Sequence, residues 1–359
     1  MSTQLLSHLK ILDFSSVLAG PAVGTFFAEL GAEVIKVENK VAGGDVTRQW
    51  RVPGENPHTK ASAYFSSVNY GKSYHFLDVY EEADRKVFMQ LLEDCDILIT
   101  NQKPSSLTRM KLDYTHLSAM RPELIYGQIT GFDSNPNRVA YDVVVQAETG
   151  YMFMNGTPET APVKLPLAFM DLLAAHQLKE GLLVALLERA KTGKGAYVQV
   201  SLEGAGISSL ANQASNYLMA GHIPQAIGSL HPNIAPYGEI FTTADKLPVV
   251  MAVGSDRQFK TLCEILGCTE IAEEPRFETN PQRVKHRAQL HESLSPFFEK
   301  FGRDELMQKL ISHNVPAGAV KNMEEVFQSE LAQDYVLREK IDSEDTRRVR
   351  SVAFKLSSN

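Results

Sequence analysis

Strand, glycine-containing turn, helix and strand follow one another at the start of the chain, and this order constrains the fold more than any other feature. KILDF (10–14) reads as a strand, SSVLAGPA as a turn entering a helix that runs to about Leu30, and EVIKVE (33–38), beyond Gly31, as a second strand. Two strands joined through a helix lie parallel, because a parallel pair needs a crossover of that length. The order returns with SYHFLDV (73–79), a helix over 81–95 and DILITN (96–101), and a further strand is expected at ELIYGQITGF (123–132). The pattern predicts an α/β fold with a parallel sheet and right-handed crossovers.

A long helix is expected to start near Asp171, with Leu178, Leu182, Ala185 and Leu186 on one face and Gly193 and Gly195 at its end. The strand AYVQVSL (196–202) follows it. With 359 residues, 43% of them hydrophobic, two domains are the natural division. The boundaries read as a large Rossmann-like domain over 1–202, a helical linker over 203–221 and a smaller α+β domain over 222–320. The small domain is assigned strands at GEIFTT and LPVVMAV and helices at 256–266 and 282–312. The charged segment 321–359 is expected to return toward the large domain.

A formal charge of −7 gives no global basic field for a nucleic-acid backbone or an anionic membrane surface, so neither partner is expected. Three cysteines, Cys95, Cys263 and Cys268, form no C-x-x-C pair and no even disulfide framework, which fits a reducing compartment. MSTQLLSHLK has no signal-peptide character and no run of 18 apolar residues occurs, so a cytoplasmic location is expected.

Several familiar chemistries are excluded by spacing. NYGKS (69–73) lacks the first glycine of a phosphate loop, since position 66 is Ser66, and it precedes a strand rather than a helix. A dinucleotide site is suggested by Glu38 at the end of the second strand, where an acid meets a ribose, yet AGPAVG (19–24) lacks G-x-G-x-x-G spacing. Pro21 suits the first turn of a helix, whose N-terminus can still face an anion. The ten histidines offer no H-E-x-x-H metal pair, and no G-x-S-x-G elbow is present, so no metal is expected. Asp171 stands between the apolar LPLAFM and a hydrophobic helix, where it is either a simple helix cap or a carboxylate made reactive by burial.

These segments together resemble the family III CoA-transferases, the group of formyl-CoA and carnitine-CoA transferases and α-methylacyl-CoA racemases. The most specific block is VLAGPAVGTFFAELGAEVIKVE (17–38) followed by GGDVTRQW (43–50). In order come N-x-GKS (69–73), DILITNQKP (96–104), RPELIYGQITGF (121–132), YDVVVQAETG (141–150) and RAKTGKGAYVQVSL (189–202). HPNIAPYGEIFTTAD (231–245) and PRFETNPQRVKHR (275–287) extend the likeness through the small domain. The resemblance implies a homodimer of interlocked rings, with the active site between the large and small domains.

It also implies that Asp171 is the catalytic residue. Its carboxylate, taken as already ionised near neutrality, attacks a donor acyl-CoA to give a mixed anhydride and then an aspartyl-CoA thioester, which an acceptor acid opens. CoA or acyl-CoA is then a substrate, with no tightly bound cofactor. By the same likeness Leu18, Ala19, Asn39, Leu77, Asp78, Asn101, Gln102, Lys103, Arg109, Met110, Val139, Ala140, Tyr141 and Asp142 contact CoA. Lys103 and Arg109 are the phosphate candidates, and Gly228 and His231 face the acid substrate.

Leu18 occupies a position that is Gln in formyl-CoA transferases, which favours an acid bulkier or more apolar than oxalate or formate. Asn39 stands where Arg is frequent, with Lys40 adjacent. Succinyl-CoA is the donor that the family suggests first. The racemases of this fold carry His in a G-H-D motif that here reads AYD (140–142), and a phenol is a poor base near neutral pH, so Tyr141 favours transfer over racemisation. A catalytically silent CoA-binding protein and an NAD-dependent dehydrogenase are the remaining alternatives.

Overall fold

Six strands form one parallel sheet: β1 (Lys10–Phe14), β2 (Glu33–Asn39), β3 (Lys72–Leu77), β4 (Ile97–Thr100), β5 (Ile125–Thr130) and β6 (Tyr197–Ser201). Their order in the sheet is β3-β2-β1-β4-β5-β6. In this computed structural model, which describes residues 4–356, the order reverses between β1 and β4. Such a switch opens a crevice at the carboxyl ends of the strands, where ligands of doubly wound sheets bind.

The central strands bury side chains on both faces because both faces of the sheet are covered, with Asp13, Lys36 and Glu38 the charged residues among them. Ile11, Val34, Ile97 and Ile125 pack toward the helices Ala19–Glu29 and Phe169–Thr192. Their chain neighbours Leu12, Ile35, Leu98 and Tyr126 pack on the other face with Phe88 and Leu92 of the helix Glu82–Glu93 and Leu107 of the helix Pro104–Met110. That alternation is the period of a pleated strand.

The long helix Phe169–Thr192 buries Met170, Ala174, Ala175, Leu178, Leu182 and Ala185, a stripe at helical spacing. It ends at Gly193, whose φ of 71° is the left-handed conformation that closes a helix without steric cost.

By contact the chain divides into two units, one running through Ala226 and resuming from Asp334, the other Ile227–Gln333. The second unit has its own antiparallel sheet of β7 (Tyr237–Thr242), β8 (Pro248–Ala252) and β9 (Ala317–Ala319). Its core gathers Phe241, Val249, Met251, Phe259, Leu262, Leu294 and Phe298.

The later elements are divided more finely than the sequence pattern suggests. The helix expected over 282–312 is three helices, Asn280–Lys285, Arg287–Phe298 and Arg303–Ser312, the last pair separated where Gly302 adopts an extended conformation. The linker is also broken, into Leu202–Ser208 and Ala211–Ala220, with Ala211 at φ 48°. The charged tail folds as a hairpin of β10 (Val336–Ile341) and β11 (Glu344–Val349), turning through Asp342 and Ser343, both at positive φ. Just beyond it Glu29 accepts the backbone N–H groups of Ser351 (2.9 Å) and Val352 (2.9 Å) and pairs with Arg348, so the segment is tied to the first helix. No helix among the described residues is long and apolar enough to cross a membrane.

Candidate active site

The crevice begins with a held turn after β1. Asn101, just beyond β4, grips Ser16 by both backbone groups: its Oδ1 accepts the Ser16 N–H (3.0 Å) and its Nδ2 donates to the Ser16 carbonyl (2.8 Å). Lys36 Nζ donates to the Ser15 carbonyl (2.8 Å), and the Val17 N–H donates to Asp45 Oδ2 (3.1 Å). Val17 sits at φ 69°, a region that β-branched residues avoid. The turn ends at Leu18, and the first helix opens with Ala19.

Asp171 lies in the first turn of the long helix, half-buried, with the Ala19 backbone amide acting on its carboxylate. Burial, and after it the charge of Asp142, push the Asp171 carboxyl up to about 7, while the Ala19 amide opposes the rise. The carboxyl expected to be ionised near neutrality is therefore held well above the ordinary carboxylate range. Asp142 has a second role, because the long helix has no side-chain cap at Ala168. Asp142 Oδ1 accepts the Met170 N–H (2.8 Å), Oδ2 accepts from Gln146 (2.6 Å), and Gln146 in turn accepts the Leu165 N–H (2.8 Å). The approach to Asp171 is thus fixed by hydrogen bonds from the helix Asp142–Glu148.

Asp171 opens into a cavity of about 480 Å³ that also contacts Ser16, Ala19, Asn101, Gln102, Lys103, Val139, Ala140, Tyr141 and Asp142. A second cavity of about 510 Å³ shares Ser16 and Gln102 with it and reaches Asn39, Leu77, Asp78 and Met110. Twelve expected CoA contacts, together with Asp171, therefore line two adjoining cavities at the switch point of the sheet. Leu18 lines neither, since its side chain packs on the core. Arg109 lines neither but donates to the Tyr80 hydroxyl (3.0 Å), and Tyr80 borders the second cavity. Lys40 is paired with Asp84 at 3.0 Å. Gly228 and His231 belong to the second unit, where the His231 N–H donates to the Tyr237 carbonyl (2.9 Å) and its Nδ1 accepts from the Asn233 amide (3.1 Å).

Glu38 is not available to a ribose. Its carboxylate takes Arg48 Nη2 (2.6 Å), Arg48 Nε (2.7 Å) and the Asp45 N–H (2.7 Å). Lys72 of the NYGKS segment is buried against Asp13 (2.8 Å) and the carbonyls of Pro21 and Val68, so it braces the first helix from within. Among the described residues, no group of three or more His, Cys, Asp or Glu side chains is placed to hold a metal ion.

Sequence reasoning missed Trp50 and Tyr64, which stand edge to face at 5.1 Å in the wall of the Asp171 cavity. Burial, followed by the charges of Asp171 and Asp142, pushes the Tyr64 phenol up to about 12. The available signal was the only tryptophan of the chain, placed two residues after the G-G-D-V-T-R motif.

The sequence model of CoA-transferase family III matches residues 6–359. The chain is 35% identical to the succinate–glutarate CoA-transferase of Agrobacterium fabrum, over 95% of this chain and 86% of that protein. It is 33% identical to the human succinyl-CoA:glutarate CoA-transferase, over 90% of this chain and 73% of the relative. A crystal structure of a CaiB/BaiF family protein from Brucella suis superimposes with a TM-score of 0.87 at 35% identity, covering 99% of this chain and 93% of the other.

Proposed function

The chain belongs to CoA-transferase family III and is a CoA-transferase with CoA thioesters as substrates, and from that premise we propose that Asp171 carries the transferred group. The observation that supports this reading is the half-buried carboxylate of Asp171, opposite the Ala19 amide, in a cavity that adjoins a second one large enough to extend the site.

The ionised carboxylate attacks the thioester carbonyl of the donor, and CoA leaves as a thiolate, giving an aspartyl–acyl anhydride. The thiolate then attacks the aspartyl carbonyl of the anhydride and releases the donor acid, leaving an aspartyl-CoA thioester. An incoming carboxylate repeats the two steps in reverse, so the new acyl-CoA departs and Asp171 is regenerated. The N–H of Ala19, at the positive end of the first helix, is a donor for the oxyanion at the aspartyl carbonyl. In this reading CoA extends along the second cavity past Asn39, Leu77, Asp78 and Met110, with Lys103 and Arg109 supplying positive charge.

Dicarboxylic acids are the substrate class, with succinyl-CoA as donor, by likeness to the succinate–glutarate and succinyl-CoA:glutarate enzymes. The active form is a homodimer of interlocked chains in the cytoplasm. Ile207, Tyr217, Leu218, Met219 and Ile223 are between 54% and 89% exposed around the helix Ala211–Ala220, an apolar surface that a second copy would cover.

Incubation with succinyl-CoA and other acyl-CoAs, followed by hydroxylamine or borohydride trapping and peptide mass spectrometry, tests the reading. A hydroxamate or reduced adduct at Asp171, absent in Asp171→Ala, is the expected result. Transfer activity with an unmodified Asp171 overturns it.

A further inference from the structure

Asp45 is buried, with a side chain 1% exposed, and its carboxylate accepts from Val17, in the wall of the Asp171 cavity, and from Thr47, three residues before Trp50 of the same wall. Oδ2 accepts the Val17 N–H (3.1 Å) and faces Lys36 Nζ at 3.3 Å. Oδ1 accepts the Thr47 N–H (3.0 Å) and the Thr47 hydroxyl (2.7 Å), fixing the turn that leads to Trp50. Gly44 lets the carboxylate arrive: at φ 109° a side chain is strained, and a Cβ would lie 2.7 Å from Glu38 Oε2.

Val17 is the residue that this arrangement holds out of its preferred conformation. A β-branched side chain at positive φ costs on the order of 1–3 kcal/mol and persists only where the surroundings enforce it. Here the enforcement is local and nearly complete, since Lys36 takes the Ser15 carbonyl, Asn101 takes both backbone groups of Ser16, and Asp45 takes the Val17 amide. Two residues later comes Ala19, which lines the same cavity as Asp171 and whose amide favours the Asp171 anion.

We propose that Asp45 is a positioning residue for the transfer reaction: its carboxylate holds the Val17 turn so that the Ala19 N–H stays aimed at Asp171, and through Thr47 it sets the Trp50 side of the same cavity. The inference rests on Asp171 being the nucleophile. Asp142, the Tyr64 phenol, the Ala19 amide and the backbone amide of Asp171 itself act on its carboxylate, and of these Ala19 is the one that follows the Val17 turn in the chain.

Asp45→Asn removes the charge that pairs with Lys36 and presents an amide to the Val17 N–H. Asp45→Glu keeps the charge, which protects folding, but displaces the acceptor by one methylene. The readouts are kcat, KM and the pH profile of adduct formation at Asp171, with Asp171→Ala run in parallel to test the nucleophile itself. Both Asp45 variants are expected to lose about 10–100-fold in kcat, the range that follows when a catalytic group is misplaced by about an ångström. The acid limb of their pH profiles is expected to move to higher pH, because the Ala19 amide no longer favours the Asp171 anion. A merely structural role would lower the amount of folded enzyme and leave that limb in place. A folded Asp45→Glu enzyme with wild-type kcat and an unmoved limb overturns the inference while adduct at Asp171 persists. Loss of the adduct requirement in Asp171→Ala would instead overturn the premise.

Discussion

Asp142 caps the helix that carries Asp171 and at the same time disfavours the ionised form of Asp171. The cap is the 2.8 Å hydrogen bond from the Met170 N–H, and the electrostatic effect is the second contribution, after burial, to the raised Asp171 carboxyl. One carboxylate thus fixes the start of the helix that carries Asp171 and, with burial, holds the Asp171 carboxyl above the ordinary carboxylate range.

The pH profile follows from that arrangement. Attack on a thioester needs the anion, so adduct formation at Asp171 is expected to rise with pH and level off above about 7. In Asp142→Asn the like charge is gone while the side-chain oxygen can still cap Met170, so the acid limb moves to lower pH. Asn is as good a cap as Asp, but its amide nitrogen replaces the Oδ2 that accepts from Gln146, so the variant should lose about 1–3 kcal/mol, the cost of one buried partner left unpaired. A limb that stays in place in the variant would show that burial alone sets the Asp171 titration.

The raised Asp171 carboxyl also has a consequence for stability. A carboxyl raised to about 7 binds its proton more tightly in the folded than in the unfolded chain. Between the ordinary carboxylate range and about 7 the folded state therefore binds more protons, and stability falls as pH rises through that window. Asp171→Asn carries no such cost. It should melt above the wild type at pH values over about 7, by on the order of a few degrees, with the gap closing as pH approaches the ordinary carboxylate range. Thermal melts across that range check this, and a gap independent of pH would refute it.

How much of this was readable in advance depended on what held each element. β1, β2 and the long helix carry apolar residues at strand or helix spacing, with Gly31 before β2 and Gly193 after the helix, so local pattern was enough. The hairpin Val336–Val349 is mostly polar and turns through Asp342–Ser343 rather than Asn-Gly, so nothing local marked it, and it is Arg348 meeting Glu29 that secures it. Trp50 and Tyr64 face the site because Arg48, Asp45 and Thr47 fix the preceding turn, a set of contacts invisible to periodicity. Glu38 lies at the edge of the second cavity, where a rival dinucleotide reading would give it a ribose, and its actual partner Arg48, ten residues on, leaves no local signal.

Lys72 separates a structural lysine from a phosphate-binding one in a segment that carries G-K-S. Its ammonium and the Asp13 carboxylate are both fully buried, 2.8 Å apart, and the ammonium also donates to the carbonyls of Pro21 and Val68. Lys72→Met leaves Asp13 as an uncompensated buried charge, and breaking such a pair costs about 3–5 kcal/mol. The variant should therefore melt at much lower temperature, while the protein that remains folded binds CoA with nearly the wild-type Kd. Adding Asp13→Asn removes the stranded charge, so the double variant should recover part of the loss, and a double-mutant cycle on melting free energies measures the coupling. A Lys72→Met protein of normal stability with sharply weakened CoA binding would reverse the assignment and make Lys72 a phosphate ligand.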